Sequence, residues 1–306
     1  MNDIKISAII TTHNRVEYLK KALKGLADQT LPKDDFEILV VDNASTDTTR
    51  QIVSSDYPDL TNLRYIHEPV LGLTHARNTG WKAAKGKYIA FLDDDAIPSP
   101  QWLGKIVETF ETVSPSPGCV GGKIQPIWEA PRPSWLNDDL ARFLTILDWS
   151  DIPFFIQAPQ YVAGANMAFP KVLIEKVGGF KSDLGRIGNK LLSNEELLIA
   201  RQIEKLGFRT YYHPDISVQH HILASRISKQ WFMSRHYWQG VSDAVTMKHL
   251  DSPSLFKRLY MMKQKVFDLI RSPRTLAKLF ADTDDPHRFH SKCSVFYSAG
   301  YIRGLL

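Results

Sequence analysis

The sequence predicts an α/β fold: a mostly parallel sheet flanked by helices, with a helical extension at the C-terminal end. Three observations predict it. Short β-branched runs alternate with segments of helical apolar spacing through the first part of the chain. Several of those runs end in acidic residues. From Ser225 onward the spacing turns helical and the charge turns positive.

Taken in order, Ile4 to Thr11 is rich in β-branched residues and reads as a buried strand. Asn14 is the expected N-cap of a helix over Arg15 to Asp28, where Leu19, Ala22, Leu23 and Leu26 recur at helical spacing. Phe36 to Val41 is a second strand closed by Asp42-Asn43, and Thr46 to Ser54 a helix. Leu63 to His67 is a short strand. His75 to Ala84 is a helix for which Gly86 supplies the stop. Lys87 to Leu92 is a core strand that runs into Asp93-Asp94-Asp95.

The stretch 114–160 is Pro-rich and Trp-bearing and reads as irregular excursions and short elements beside the core, of the kind that tends to be functional. Order returns with a helix over Lys171 to Val177, ended by Gly178-Gly179. A second helix, Glu195 to Leu206, ends at Gly207. Phe208 to His213 and Ile216 to Gln219 look like strands. In Ser254 to Ile270, Leu255, Leu259, Met262, Val266 and Leu269 form one apolar stripe, widened by Phe256, Tyr260, Phe267 and Ile270. Lys257, Arg258 and Lys265 fall on the other side, as in a basic amphipathic helix. The expected division is a catalytic domain over 1–224, in halves of about 1–113 and 114–224, and a basic extension over 225–306.

Composition bounds the function. Of 306 residues, 43% are hydrophobic and 23% charged, which excludes wholesale disorder. No apolar run approaches the roughly 18 residues of a spanning helix. The polar Met1 to Lys5 leads straight into a strand, so no secretory leader is expected. Cys119 and Cys293 are far apart, which argues against a disulfide framework or thiolate zinc and favours a cytoplasmic setting. Residues 222–306 hold 14 Lys/Arg against 6 Asp/Glu, and the remainder is slightly acidic. Such a tail either meets an anionic surface or solubilises a packing module.

The acidic triplet carries the most chemistry. Ligands of open α/β sheets bind beyond the carboxyl ends of strands. Three adjacent carboxylates there call for a cation, and hard oxygen donors suit Mg²⁺ or Mn²⁺; the alternative is a solvated acidic turn. Glu195-Glu196 opens a helix, as a general base with its neighbour or as acidic residues favoured by the helix dipole. His220-His221 could add an imidazole to a metal site or be structural. Arg77 stands at a helix start, where it could meet a phosphate or simply face solvent.

At these residues the chain resembles the family 2 glycosyltransferases, whose GT-A fold is Rossmann-like. The resemblance covers about 5–222. SAIITTHNR, from Ser7 to Arg15, is similar to the opening strand and loop, with Thr11 and His13 replacing Pro and Tyr. LVVDNASTD at Leu39 to Asp47, GLTHARNTG at Gly72 to Gly80 and FLDDD at Phe91 to Asp95 match three further motifs. Val162 to Phe180 resembles the acceptor-side segment, and Ser193 to Gly207 the segment bearing the base, with Asn194 where the family usually has Gly.

The resemblance implies roles. Thr11, Thr12, His13, Asn14 and Arg15, with Asp42, would hold the donor's nucleoside, often uridine. Arg77 would reach the base or diphosphate. Asp93 or Asp94 would touch the ribose, and Asp95 would bind the metal with His221 or His220. Glu196 would be the catalytic base, with Glu195 in reserve. The reaction would be an inverting displacement of a nucleoside diphosphate, dependent on Mn²⁺ or Mg²⁺, with a glycan or lipid-linked acceptor. For the acceptor, Trp149 and Asp151 in the aromatic stretch Trp128 to Tyr161, and Asn166, are the candidates, since aromatic rings suit the C–H face of a sugar; the alternative is that these tryptophans fill a core. From its charge and apolar stripe, and not from the resemblance, the basic tail could touch the cytosolic face of a membrane, or its stripe could bury against the catalytic domain or a second subunit; no nucleic-acid module is recognised. Two rival readings stand beside this: a binding module that has lost turnover, motivated by Asn194 and the unusual nucleotide loop, and a nucleotidyltransferase, against which TTHNR lacks the glycine of a phosphate loop.

Overall fold

The computed structural model describes residues 4–271 and 283–306. Among them the chain forms a nine-stranded mixed sheet with helices on both faces. The chain divides into two compact units. One gathers the chain up to Ile127 with Thr145–Ser182 and Ile199–His221; the other gathers Trp128–Leu144, Asp183–Leu198 and the chain from Ile222 onward. Two segments expected in the acceptor half therefore belong with the C-terminal helices.

In the first unit β1 (Ile6–Thr12) pairs in parallel with β2 (Phe36–Asn43) and β4 (Tyr88–Asp93), and β2 with β3 (Leu63–Glu68). This is the parallel sheet the alternating runs predict. Beyond β4 it turns antiparallel. β8 (Asn166–Pro170) pairs with β4 and with β6 (Cys119–Trp128); β9 (Thr210–Ile222) pairs with β5 (Ala96–Pro98) and β7 (Phe154–Phe155). The two strands expected over 208–219 are one, continuous through Pro214. The stretch expected to hold excursions and short elements contributes β6, a strand of 10 residues.

Strand side chains alternate between faces, so the sheet supports two cores. On one side Ile6, Ala8 and Ile10 of β1 pack with Leu19 and Leu23 of α1 (Val16–Ala27) and Trp102 and Ile106 of α4 (Trp102–Thr112). On the other, Ile9 packs with Leu39, Val41 and Trp81 of α3 (Leu73–Ala83), Leu173 and Ile174 of α6 (Lys171–Val177) and Ile199 and Ile203 of α7 (Glu195–Glu204). Between α1 and α3 lies α2 (Thr49–Ser55).

Two expected helix ends are corrected. Arg15, not Asn14, is the N-cap of α1, with no side-chain cap bond. The Asn14 carboxamide oxygen instead accepts from the Thr46 and Asp47 backbone N–H groups at 2.7 and 3.2 Å, while the Asp47 carboxylate accepts from Val16 N. Helix α3 ends at Ala83, before Gly86. A Cβ at Gly86 would lie 2.5 Å from Ser7 N, so glycine there serves close approach to β1.

In the second unit α5 (Asp138–Ala141) precedes α8 (Lys229–Asp251), α9 (Leu255–Arg271) and α10 (Pro286–Leu305). Ser228 caps α8 by accepting from Trp231 N, and Asp285 caps α10 by accepting from Arg288 N. Helices α8 and α10 pack with their backbones nearly touching. A Cβ at Gly300 would sit 1.8 Å from Tyr237 O, and one at Gly240 2.0 Å from Tyr297 O. Trp135 fills the space beside them, with ring centroids 5.3 Å from Phe232 and 5.0 Å from Phe289.

Candidate active site

Parallel register brings the first group of predicted residues to one edge. Thr11 lies opposite Val41 and Asp93, and Thr12 opposite Asp42, so three strand ends carry their polar residues side by side. The acidic triplet follows directly. Asp94 and Asp95 are buried, and Asp93 is partly exposed. Arg15 answers two of these charges: Nη1 donates to Asp94 Oδ1 at 2.8 Å and Nη2 to Asp95 Oδ2 at 2.7 Å. Thr12 Oγ1 donates to the other Asp94 oxygen at 2.8 Å. Burial still lifts the Asp94 carboxyl to about 7, with Arg15 pulling the other way. For Arg15, burial is outweighed by Asp94 and Asp95, which hold the guanidinium charged beyond its ordinary range.

Strand β9 completes the cluster. His220 stands opposite Ala96 of β5, and its Nε2 is 3.2 Å from Asp95 Oδ1. Asp93, Asp95 and His220 each present a ligand atom, all within 4.8 Å of one another. The His220 Nδ1 is buried with no hydrogen-bond partner among the described residues. Two carboxylates and an imidazole on converging strand ends fit a divalent cation of the Mn²⁺ or Mg²⁺ type. His221, expected in this role, points the other way. Its ring meets Tyr18 edge-on at 5.3 Å, and its Nε2 is 3.5 Å from Lys21 Nζ. Successive strand side chains face opposite sides, so only the His220 imidazole turns to the Asp95 carboxylate, while the His221 backbone N–H donates to Asp95 O at 2.9 Å.

The loop beyond β1 is latched to the loop beyond β2. His13 Nδ1 donates to Asn43 O at 2.7 Å, which fixes that nitrogen as the protonated one, and Asn14 N donates to Ser45 Oγ at 2.9 Å. Asn14 adopts the left-handed conformation (φ 53°). Asp42 is buried; one oxygen accepts from Ser45 N at 3.0 Å, the other from Tyr65 Oη at 2.7 Å. It shapes this loop, and each oxygen keeps a lone pair for a ligand. Asn43, not singled out in the sequence, ties in a third loop: its Nδ2 donates to Glu68 O and Val70 O, and its Oδ1 accepts from Gly72 N at 2.8 Å.

The paired glutamates lie in the second unit at the start of α7. Glu195 is buried and Glu196 partly exposed, and the Glu196 Oε2 has no hydrogen-bond partner among the described residues. Leu198 N donates to Asn194 O at 2.8 Å, which opens the helix. Asn194 has φ 72°, the left-handed conformation a glycine adopts freely. Its Nδ2 donates to Asp243 Oδ1 at 2.7 Å, and its Oδ1 accepts from Gln239 Nε2 at 2.9 Å. Tyr297 Oη donates to the second Asp243 oxygen at 2.8 Å. The residue that departs from the family pattern thus keeps a glycine-like turn and adds side-chain ties to α8.

The family model described as Glycosyl transferase family 2 matches residues 7–161. The chain belongs to glycosyl transferase family 2. It is 26% identical over 246 residues to the glucosyl-dolichyl phosphate glucuronosyltransferase of Haloferax volcanii, covering 79% of this chain and 77% of that one. It is 28% identical over 231 residues to a validoxylamine A glucosyltransferase of Streptomyces hygroscopicus subsp. jinggangensis, covering 68% of this chain but 51% of the relative. Among solved structures, a mannosyltransferase from Pyrobaculum calidifontis in complex with GDP-Man and Mn²⁺ superposes with TM-score 0.62 at 21% identity, covering 100% of this chain and 88% of that one. S. aureus TarS 1-349 in complex with UDP gives TM-score 0.57 at 18% identity, over 97% and 89%. The fold is GT-A and the chain is a glycosyltransferase.

Of the other predicted residues of this glycosyltransferase, Arg77 and Asn166 lie deep in the fold. Arg77 is buried at 2% exposure. Its Nη2 lies 3.2 Å from Asp93 Oδ1 and 3.3 Å from Gly164 O, and its guanidinium stands over Phe91 and Phe180. This placement orients Asp93 and offers little open surface to a phosphate. A Cβ at Gly164 would be 2.5 Å from Arg77 Nη2, so the approach requires glycine. Asn166, expected near the acceptor, is fully buried. Its Oδ1 accepts from Trp102 Nε1 at 2.8 Å, and its Nδ2 donates to Lys123 O and Ile216 O, so it is a core clamp between strands. Trp149 is half-buried against the core and donates from Nε1 to Tyr161 O at 2.9 Å. Asp151 is exposed and paired with Lys123 at 3.2 Å.

Proposed function

We propose that this glycosyltransferase moves a sugar from a nucleoside-diphosphate sugar, UDP-linked by preference, to an acceptor hydroxyl with inversion at the anomeric carbon. The observation that carries the reading is the convergence of Asp93, Asp95 and His220 at the strand ends, beside a loop pair built by Thr12, His13, Asn14 and Asp42. Asp93, Asp95 and His220 would hold a divalent cation, Mn²⁺ or Mg²⁺, which neutralises diphosphate charge when bound. Arg15 and Thr12 hold the carboxylates in place, and Arg77 fixes Asp93 from the buried side. Backbone and side-chain groups of Thr11 to Asn14 and Asp42 would take the nucleoside.

Glu196 would accept the proton of the attacking hydroxyl. The support is its resemblance to the family's base and a carboxylate oxygen with no partner among the described residues. Glu195 is buried and would position it. Trp149 and Asp151 remain candidates for the acceptor. A relative named for a dolichyl phosphate substrate supports a lipid-linked acceptor, hence polysaccharide or glycan assembly at the cytosolic face of a membrane. Among the described residues no helix is long and apolar enough to cross a membrane. Of the two features that motivate a degenerate binding module, Asn194 keeps the turn that glycine would make, which leaves the unusual nucleotide loop as its ground.

The test is calorimetric titration of UDP-, GDP-, CDP- and dTDP-sugars with Mn²⁺, Mg²⁺ or chelator. The expected result is cation-dependent binding of one nucleotide class, abolished in Asp95→Ala and in His220→Ala and retained in His221→Ala. Binding unchanged in Asp95→Ala would move the cation elsewhere.

A further inference from the structure

Helix α9 is turned opposite to the sense in which an amphipathic helix usually meets its own protein. The side it offers to α10 carries basic residues: Arg258 Nη1 donates to Leu305 O at 3.1 Å, and Lys265 Nζ stands over the Tyr297 and Tyr301 rings at 6.0 and 5.7 Å. Met262 and Leu269 of the apolar stripe are partly covered on that same side, while the exposed apolar residues face away. Phe256 is 84% exposed, Tyr260 60%, Leu255 58%, Phe267 53% and Leu259 49%. At steps of three to four residues these lie along one face of the helix. Lys257 and Lys263 are exposed with them. Isolated exposed apolar residues are ordinary, but a contiguous aromatic and leucine face marks an interaction surface.

We propose that this face docks on an anionic lipid surface, independently of the transfer chemistry. Charge selects the occupant. Helix α9 carries five Lys/Arg and one Asp, and residues 222–306 carry 14 Lys/Arg against 6 Asp/Glu. A second copy would bring the same positive surplus and repel, whereas an anionic leaflet attracts it. The side chains fit as well: Phe and Leu enter the acyl boundary, Tyr suits the headgroup level, and lysine stems reach outward to lipid phosphates. The helix lies in the interface and does not span it.

The experiment is flotation of the full chain with vesicles of phosphatidylcholine alone or mixed with phosphatidylserine. The expected result is flotation with the anionic vesicles only, weakening as salt rises. The variant Phe256→Ser/Tyr260→Ser/Phe267→Ser should lose vesicle affinity by at least about tenfold, and Lys257→Gln/Lys263→Gln by about tenfold. All changed residues are exposed, so circular dichroism and nucleotide binding should match the wild type. Three results would overturn the proposal: no flotation of the wild type, equal flotation of the variants, or a wild-type dimer that the triple substitution converts to monomer.

Discussion

Asn194 provides a test in which two substitutions at one position separate backbone from side chain. Its carboxamide is buried, bonded to the Asp243 carboxylate and to Gln239, while its φ of 72° is one that glycine tolerates and alanine does not. Asn194→Gly removes the bonds and keeps the turn. A hydrogen bond to a charged group contributes about 1.5–3 kcal/mol and a neutral one about 0.5–1.5. The lower ends apply, because Asp243 retains Gln239 at 2.8 Å and Tyr297 at 2.8 Å. The expected loss is about 2 kcal/mol. Asn194→Ala loses the same bonds and adds a left-handed Cβ penalty of about 1–2 kcal/mol, partly offset by the lower unfolded-state entropy of alanine. Alanine should therefore be less stable than glycine by about 0.5–1 kcal/mol, although alanine is the better helix former. Urea unfolding followed by circular dichroism measures both midpoints. An alanine variant as stable as the glycine variant would refute the backbone argument, and a glycine variant matching wild type would refute the side-chain one.

Three further outcomes are expected. Glu196→Gln should lower kcat by at least about 100-fold with nucleotide affinity near wild type; retained turnover would remove Glu196 from the role. Gly164→Ala pushes a methyl to 2.5 Å from Arg77 Nη2, so cation-dependent donor affinity should fall about tenfold through Asp93, by the loss of about one charged hydrogen bond; unchanged affinity would show that Arg77 does not position Asp93. His236 is buried beside Phe143, its Nδ1 donates to Phe232 O at 2.8 Å, and burial, with His290 and Arg235 nearby, holds its imidazole down to about 4 from 6.5. The unfolded chain then binds more protons between those values, so this contribution is full above pH 6.5 and lost as pH falls towards 4, about 3 kcal/mol in all. In His236→Leu that part of the acid loss should vanish from pH-dependent unfolding curves.

The parallel half of the sheet was legible because β1, β2 and β4 are buried on both faces and read as unbroken apolar runs. Strand β6 was not, since Gly121, Gly122 and Pro126 look like loop residues. The two glycines instead admit close neighbours: a Cβ at Gly122 would meet Ile216 O at 2.1 Å. Pro214 made β9 look like two strands, and without its pairing to β5 nothing in the order His220-His221 says which imidazole turns to Asp95. The acidic triplet and the paired glutamates stood out by type and spacing. Arg77 and Asn166 were placed by motif alone, and motif carries no information about depth. The stripe of α9 was visible too, but helical period cannot tell which side meets protein.

Arg15 also bears on the order in which this glycosyltransferase is built. With its two nitrogens on Asp94 and Asp95, the chain carries its own placeholder for positive charge inside an acidic turn. Folding then need not wait for a dissolved ion to quell three adjoining carboxylates. The strand ends can therefore close around a positive charge that the chain itself supplies.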